Sequence, residues 1–169
     1  MARTWEIAVE ELGGRVFAPY GRIVGVPDEP APRSGEGWDC WYGSQTLECP
    51  WPVYLGLVRT APRPIVVDAM ERHTHTFELL YPHGTDLIQP LALPLDLDNP
   101  EAQPDPATLR AFRIPVGHGI IMHPGTWHSA AFPVGVDCTY SFACMQPDFP
   151  YEPVWVPFPG GDNVRVESP

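Results

Sequence analysis

Two short segments hold the side chains best suited to chemistry: His73-Thr74-His75-Thr76-Phe77-Glu78, and further on His123-Pro124-Gly125-Thr126-Trp127-His128. On a strand, alternate side chains share a face, so His73 and His75 would aim two imidazoles at one point. Glu78 joins them if the strand bends, and His128, after a Pro-Gly turn, supplies a fourth ligand from a neighbouring strand. Imidazoles with one carboxylate suit a borderline divalent ion (Ni, Mn, Fe, Zn or Co) and leave coordination positions open for a substrate. The plain alternative is a surface or core His pair satisfied by hydrogen bonds.

Other residues could work beside such a centre. Strand parity sets Glu71 on the face of His73 and His75, as a catalytic base or a group that orients a ligand; its structural alternative is an ion pair with Arg59 or Arg110. His123 is either a catalytic proton shuttle or a turn residue bonded to backbone. Arg59 and Arg110 are candidate clamps for a substrate carboxylate, or ion-paired surface groups. Trp127 reads as core, Gly117 and Gly125 as turn formers, and His83 and His118 as loop residues.

The elements that must position these groups read as β. The chain of 169 residues is of a size for one domain, 1–169. Its 23 Pro and 15 Gly would suggest disorder, but six Trp, six Tyr and seven Phe supply large burial, so the composition describes a folded, loop-rich β protein. Short apolar runs separated by turns fall at Val53–Arg59, Leu87–Leu95, Arg110–Val116, Gly119–Met122, His128–Phe132 and Cys138–Met145, and Ile65–Glu78 alternates as one strand. Residues 4–12 form a strand or short helix, 25–39 a loop, and 94–106 an acidic, Pro-rich loop. The expected fold is all-β, a double-sheet jelly-roll barrel with few short helices.

Charge narrows the partners. The net charge is −11 and every one of the ten cations is Arg, which argues against nucleic acid and anionic membrane and excludes a Schiff-base lysine. No signal-like or membrane-spanning run is present, and Cys40, Cys49, Cys138 and Cys144 form no C-x-x-C pair. These features suit a cytoplasmic protein with reduced thiols that binds a small carboxylate. No Ser or Cys triad spacing and no phosphate loop is found.

The order His73-x-His75…Glu78…Gly84, then Gly117…Gly125-x-x-His128, resembles the two-part signature of the cupins. More specifically, Phe17-Ala18-Pro19-Tyr20-Gly21, Arg59-Thr60-Ala61-Pro62, Glu71-Arg72-His73, the run Pro104 to Phe112, His123…Trp127-His128 and Gly160-Gly161-Asp162-Asn163 are together similar to the ureidoglycolate lyases of allantoin breakdown, in purine metabolism. That resemblance implies a cupin barrel, a homodimer, and cleavage of ureidoglycolate to glyoxylate and urea by a carbon–nitrogen lyase. Where family members continue Pro-Leu-Gly after Glu-Arg-His, this chain has Thr74-His75-Thr76 and then Glu78, a fuller set of metal ligands. The same ligand set would also serve another metal cupin, an oxygenase or a sugar isomerase or epimerase. A non-catalytic cupin that binds a small metabolite is the third reading. The aromatic segment Phe149–Phe158 is a further reason to expect a dimer.

Overall fold

A computed structural model describes residues 2–145 and 154–167 of the chain. Two five-stranded sheets supply the barrel walls. In one, Gly21–Val24, Gly119–Met122, Glu78–His83, Cys138–Met145 and Val53–Thr60 lie side by side in that order. In the other, Leu87–Ala92 is central, flanked by Arg110–Ile114 and then Val9–Glu11 on one side and by Trp127–His128 and Phe132–Pro133 on the other. A three-stranded sheet of Thr4–Ile7, Asn163–Val166 and Val66–Val67 stands beside them.

Alternation explains how the two walls close on each other. Leu80, Ile120, Met122 and Tyr140 point inward from the first sheet and meet Leu87, Leu91, Phe112 and Ile114 from the second in one buried cluster. Burying each large apolar side chain contributes roughly 1.5–3 kcal/mol, so this shared interior holds the sheets face to face. The result is the all-β, double-sheet jelly roll that the sequence implies, with one single-turn α-helix, Gly14–Phe17, and two 3-10 turns as its only helices among the described residues.

The early Phe17-Ala18-Pro19-Tyr20-Gly21 motif is a packing device. Phe17 and Tyr20 set their rings edge-on against Phe112 at centroid distances of 5.1 and 5.4 Å, and the Tyr20 hydroxyl donates to the Thr108 carbonyl. A Cβ at Gly21 would stand 2.3 Å from the Ile121 carbonyl oxygen, so glycine alone lets the two strands pair at that point.

Three segments differ from the sequence expectation. Ile65–Glu78 is not one strand. Val66–Val67 pairs with Asn163–Val166, Ala69–Met70 with Val156–Pro157 and Glu71 with His128, after which the chain bends at residues 74–75. Three successive partners in different directions break the alternation that a single strand would keep. The presumed loop 25–39 contains a small hairpin, Arg33–Gly35 with Trp38–Cys40, turned by Gly37 at φ +81°. His128–Phe132 is split, with Trp127–His128 and Phe132–Pro133 pairing at opposite ends of Leu87–Ala92. Of the aromatic segment, Phe149 and Tyr151 lie outside the described residues, Trp155 is exposed, and Phe158 is buried in its own chain's core against Met70 and Trp127.

Candidate metal centre

Glu71 and His128 are brought together by backbone. Each donates its N–H to the other's carbonyl at 2.9 Å, an antiparallel bridge that sets both side chains on one face. Strand pairing with Leu91 fixes His128 from its other side. His73 arrives from the same segment as Glu71, and its carbonyl accepts the Gly125 N–H at 2.6 Å. Gly125 sits at φ +83°, so the Pro-Gly turn needs glycine there, and the turn ties the two ligand-bearing segments together. Glu78 opens the strand Glu78–His83 and faces inward with Leu80.

These four residues converge. One ligand atom from each of Glu71, His73 and His128 lies within 4.8 Å of the others. Glu78 Oε2 sits 3.0 Å from His73 Nε2 and 3.5 Å from His128 Nε2, and Glu71 Oε1 is 3.8 Å from His128 Nε2. Both histidines are buried. His128 Nδ1 lies 3.1 Å from the Thr126 carbonyl, which can only accept, so that nitrogen carries a proton and Nε2 is the atom turned to the cluster, where a bound metal would take it as the lone pair of a neutral ring.

The electrostatics follow from burial and pairing. Burial would push the Glu78 carboxyl up, but the His128 charge and the hydrogen bonds of both histidines outweigh it and hold it down at about 2. Burial likewise works against the His128 cation, yet Glu78 first and Glu71 second raise it to about 9. Glu71 is shifted up by burial, against the attraction of the two histidines.

The cluster fits a divalent metal. Glu71 Oε2 and His128 Nε2 are buried without a well-aligned hydrogen bond among the described residues, and buried polar atoms are seldom left so. Two imidazole nitrogens with a carboxylate beside them make a donor set of the kind such ions take.

A cavity of about 210 Å³ opens on this cluster. Glu71, Glu78 and His128 form its polar end, Val58, Leu80 and Phe142 an apolar wall, and Ser129, Ala130, Tyr140 and Trp155 the remainder. Tyr140 is pushed up to about 12 by burial, so its phenol is a neutral donor.

The other sequence candidates lie elsewhere. His75 is exposed, its Nδ1 3.1 Å from Thr74 Oγ1, in a separate hollow beside Leu97 and Asp98. The bend at residues 74–75 rotates it out of phase with His73. Glu71 is in the cluster itself, closer to it than parity along a straight strand implied. His123 is a turn residue, its N–H donating to the Tyr20 carbonyl and its Nε2 3.3 Å from the Ala18 carbonyl. Arg59 points outward and pairs with Asp137 at 3.4 Å, while Arg110 pairs with Glu10 at 2.8 Å. Neither lines the cavity. Ser129, Tyr140 and Trp155 were missed, although the inward parity of Tyr140 with Cys138 and Cys144 could have flagged it.

A family model described as ureidoglycolate lyase matches residues 4–152. The chain belongs to the ureidoglycolate lyase family. The match spans both ligand-bearing segments and the strands that carry them. No curated protein sequence matches the chain. Among solved structures, it is similar to RmlC from Streptococcus suis in complex with dTDP-D-xylose, with 9% identity and a TM-score of 0.41 over 56% of this chain and 44% of that one. The chain thus spans less than half the length of that protein. It is also similar to a dTDP sugar isomerase from Desulfovibrio desulfuricans G20, with 15% identity and a TM-score of 0.41 over 88% and 82% of the two chains.

Proposed function

We propose that this ureidoglycolate lyase family member is a metal-dependent carbon–nitrogen lyase that cleaves ureidoglycolate to glyoxylate and urea. The observation that carries the reading is the buried Glu71, His73, Glu78 and His128 cluster at the end of a cavity of about 210 Å³. His73, His128 and Glu78 would hold the ion, with Glu71 beside it. A divalent metal there supplies Lewis acidity, lowering the pKa of the substrate hydroxyl.

The chain's own residues do the rest. Glu71, on the cavity wall with one oxygen unengaged, takes the proton of the carbinol hydroxyl. The C–O bond becomes a carbonyl as the C–N bond breaks, and its electron pair leaves on the urea nitrogen. The same proton then passes from Glu71 to that nitrogen, so glyoxylate and urea form with no net proton uptake. Tyr140 offers its phenol hydrogen to the urea carbonyl, and the Val58, Leu80 and Phe142 wall keeps water from the reacting carbon.

Urea release from ureidoglycolate, measured with the metal content of the same preparation, tests this. Activity should fall on chelation and return with a divalent ion. Full activity in chelator-stripped protein would overturn the metal mechanism, and no urea release at any metal loading would overturn the substrate.

A further inference from the structure

An acid substrate faces an electrostatic problem in this protein. The chain carries a net charge of −11, and two carboxylates, Glu71 and Glu78, line the cavity that would receive it; an ion on the cluster would offset these two but not the acidic surroundings. A cation away from the cluster is needed, and several of the arginines are engaged elsewhere. Arg59, Arg110 and Arg113 are ion-paired to Asp137, Glu10 and Asp86, and Arg72 donates to the Asp96 and Asn99 carbonyls while lying over Trp127.

Arg63 is different. It lines a second cavity, of about 460 Å³, which shares Ser129, Ala130 and Trp155 with the cavity above the Glu–His cluster. Its guanidinium stacks on Phe132 at 4.1 Å and spends one nitrogen, Nη1, on Thr60 Oγ1 at 2.9 Å and the Ala61 carbonyl at 3.1 Å. Thr60 is itself held, donating to the Ala131 carbonyl. The group is therefore fixed in plane, with Nε and Nη2 bonded to nothing among the described residues and no carboxylate partner there. A guanidinium oriented in this way offers a fork matched to a carboxylate. Its charge also acts on Tyr140, on the wall of the neighbouring cavity, where it opposes the larger effect of burial.

We propose that Arg63 forms a carboxylate-binding subsite at the shared Ser129–Ala130–Trp155 wall, holding the acid end of a small hydroxy acid whose carbinol end lies toward Glu71 and His128. The proposal rests on the lyase reading for its substrate, and on the structure alone for its ligand class. Arg63 is a binding residue and takes part in no proton transfer.

Calorimetry on the protein as purified tests it with glycolate and its neutral analogue glycolamide as probes. Wild type should prefer glycolate. Arg63→Met, which keeps length and stacking but removes the charge, should weaken glycolate about tenfold or more and leave glycolamide unchanged. Arg63→Lys keeps the charge without the fork and should fall between. Metal content should be the same in all three. Equal glycolate binding by wild type and Arg63→Met, or no glycolate binding by wild type, overturns the subsite. Should Arg63→Met fail to fold, glycolate binding by Arg63→Lys equal to wild type overturns it instead. Failure of the lyase reading is distinguishable. Arg63-dependent glycolate binding without urea release would leave the subsite standing and remove the reaction. Urea release with KM unchanged in Arg63→Met would do the reverse.

Discussion

The backbones of Glu71 and His128 exchange two hydrogen bonds of 2.9 Å, and their side chains meet at 3.8 Å. A single bridge, isolated from any longer strand pairing, thus sets a carboxylate beside an imidazole where two distant parts of the sequence cross. Glu71 and His128 are consequently coupled through the chain as well as through charge, and substitutions there separate by chemistry when the backbone is left intact.

His128→Ala should lower both bound metal and urea release, because the ring that supplies Nε2 is gone. Glu71→Gln keeps the bridge and the shape, so it should leave metal largely bound and slow turnover alone. A group that acts beside the ligands typically changes metal affinity or activity by about 10–100-fold, and a lost ligand should cost more. Metal content and urea release measured on both variants decide the matter. Equal metal loss in the two would place Glu71 among the ligands.

The metal-free protein should be most stable in mild acid. His128, raised from 6.5 to about 9, contributes stability that is complete below pH 6.5 and lost as pH rises through 9. Glu78, lowered from 4.5 to about 2, contributes stability that is present above pH 4.5 and lost as pH falls through 2. The pair is one interaction, worth on the order of 3 kcal/mol counted once. Glu71, shifted up by burial, favours the acid end of the 4.5–6.5 window. Thermal melts in chelator across pH 4 to 9 should peak there and decline above pH 6.5. A midpoint that climbs steadily toward pH 9 would contradict the His128–Glu78 pairing.

The sequence showed the strands more clearly than the site. Gly119–Met122 was legible as a short apolar run after a Gly turn, and Cys138–Met145 by the alternation of Cys138, Tyr140 and Phe142 with Thr139 and Ser141. His73, Glu78 and His128 were legible as a group by residue type and spacing. His75 was misplaced because alternation holds only while a strand stays paired, and residues 74–75 bend. Arg59 was separable in principle, since Val58 and Thr60 face inward and an odd neighbour must face out. Arg63 was not, because it lies between two prolines in an irregular turn where no periodicity predicts direction.

Gly21→Ala should destabilise without touching the site. The added methyl would lie 2.3 Å from the Ile121 carbonyl oxygen and 3.1 Å from Met122 Cα, backbone atoms that cannot rotate away. Overpacking of this kind costs typically about 1–3 kcal/mol. Denaturant melts should show that loss, while the metal content of the folded fraction stays at the wild-type value. A variant as stable as wild type would mean that the edge strand Gly21–Val24 can shift from its partner freely.

A homodimer is expected from the outer face of the edge strand Val53–Thr60. Cys138–Met145 pairs with one of its edges, and no described strand pairs with the other. Outward parity places Val53, Leu55 and Leu57 in a row, with Leu55 83% and Leu57 71% exposed. A stripe of that kind on an open edge invites a second chain, by strand addition or by covering the leucines. Light scattering should give twice the chain mass of 18.8 kDa at micromolar concentration. The double substitution Leu55→Glu and Leu57→Glu should give the monomer, with urea release per chain retained because neither side chain lines the cavity. A monomeric wild type would remove the dimer, and a dimer that survives both substitutions would move its interface to another face.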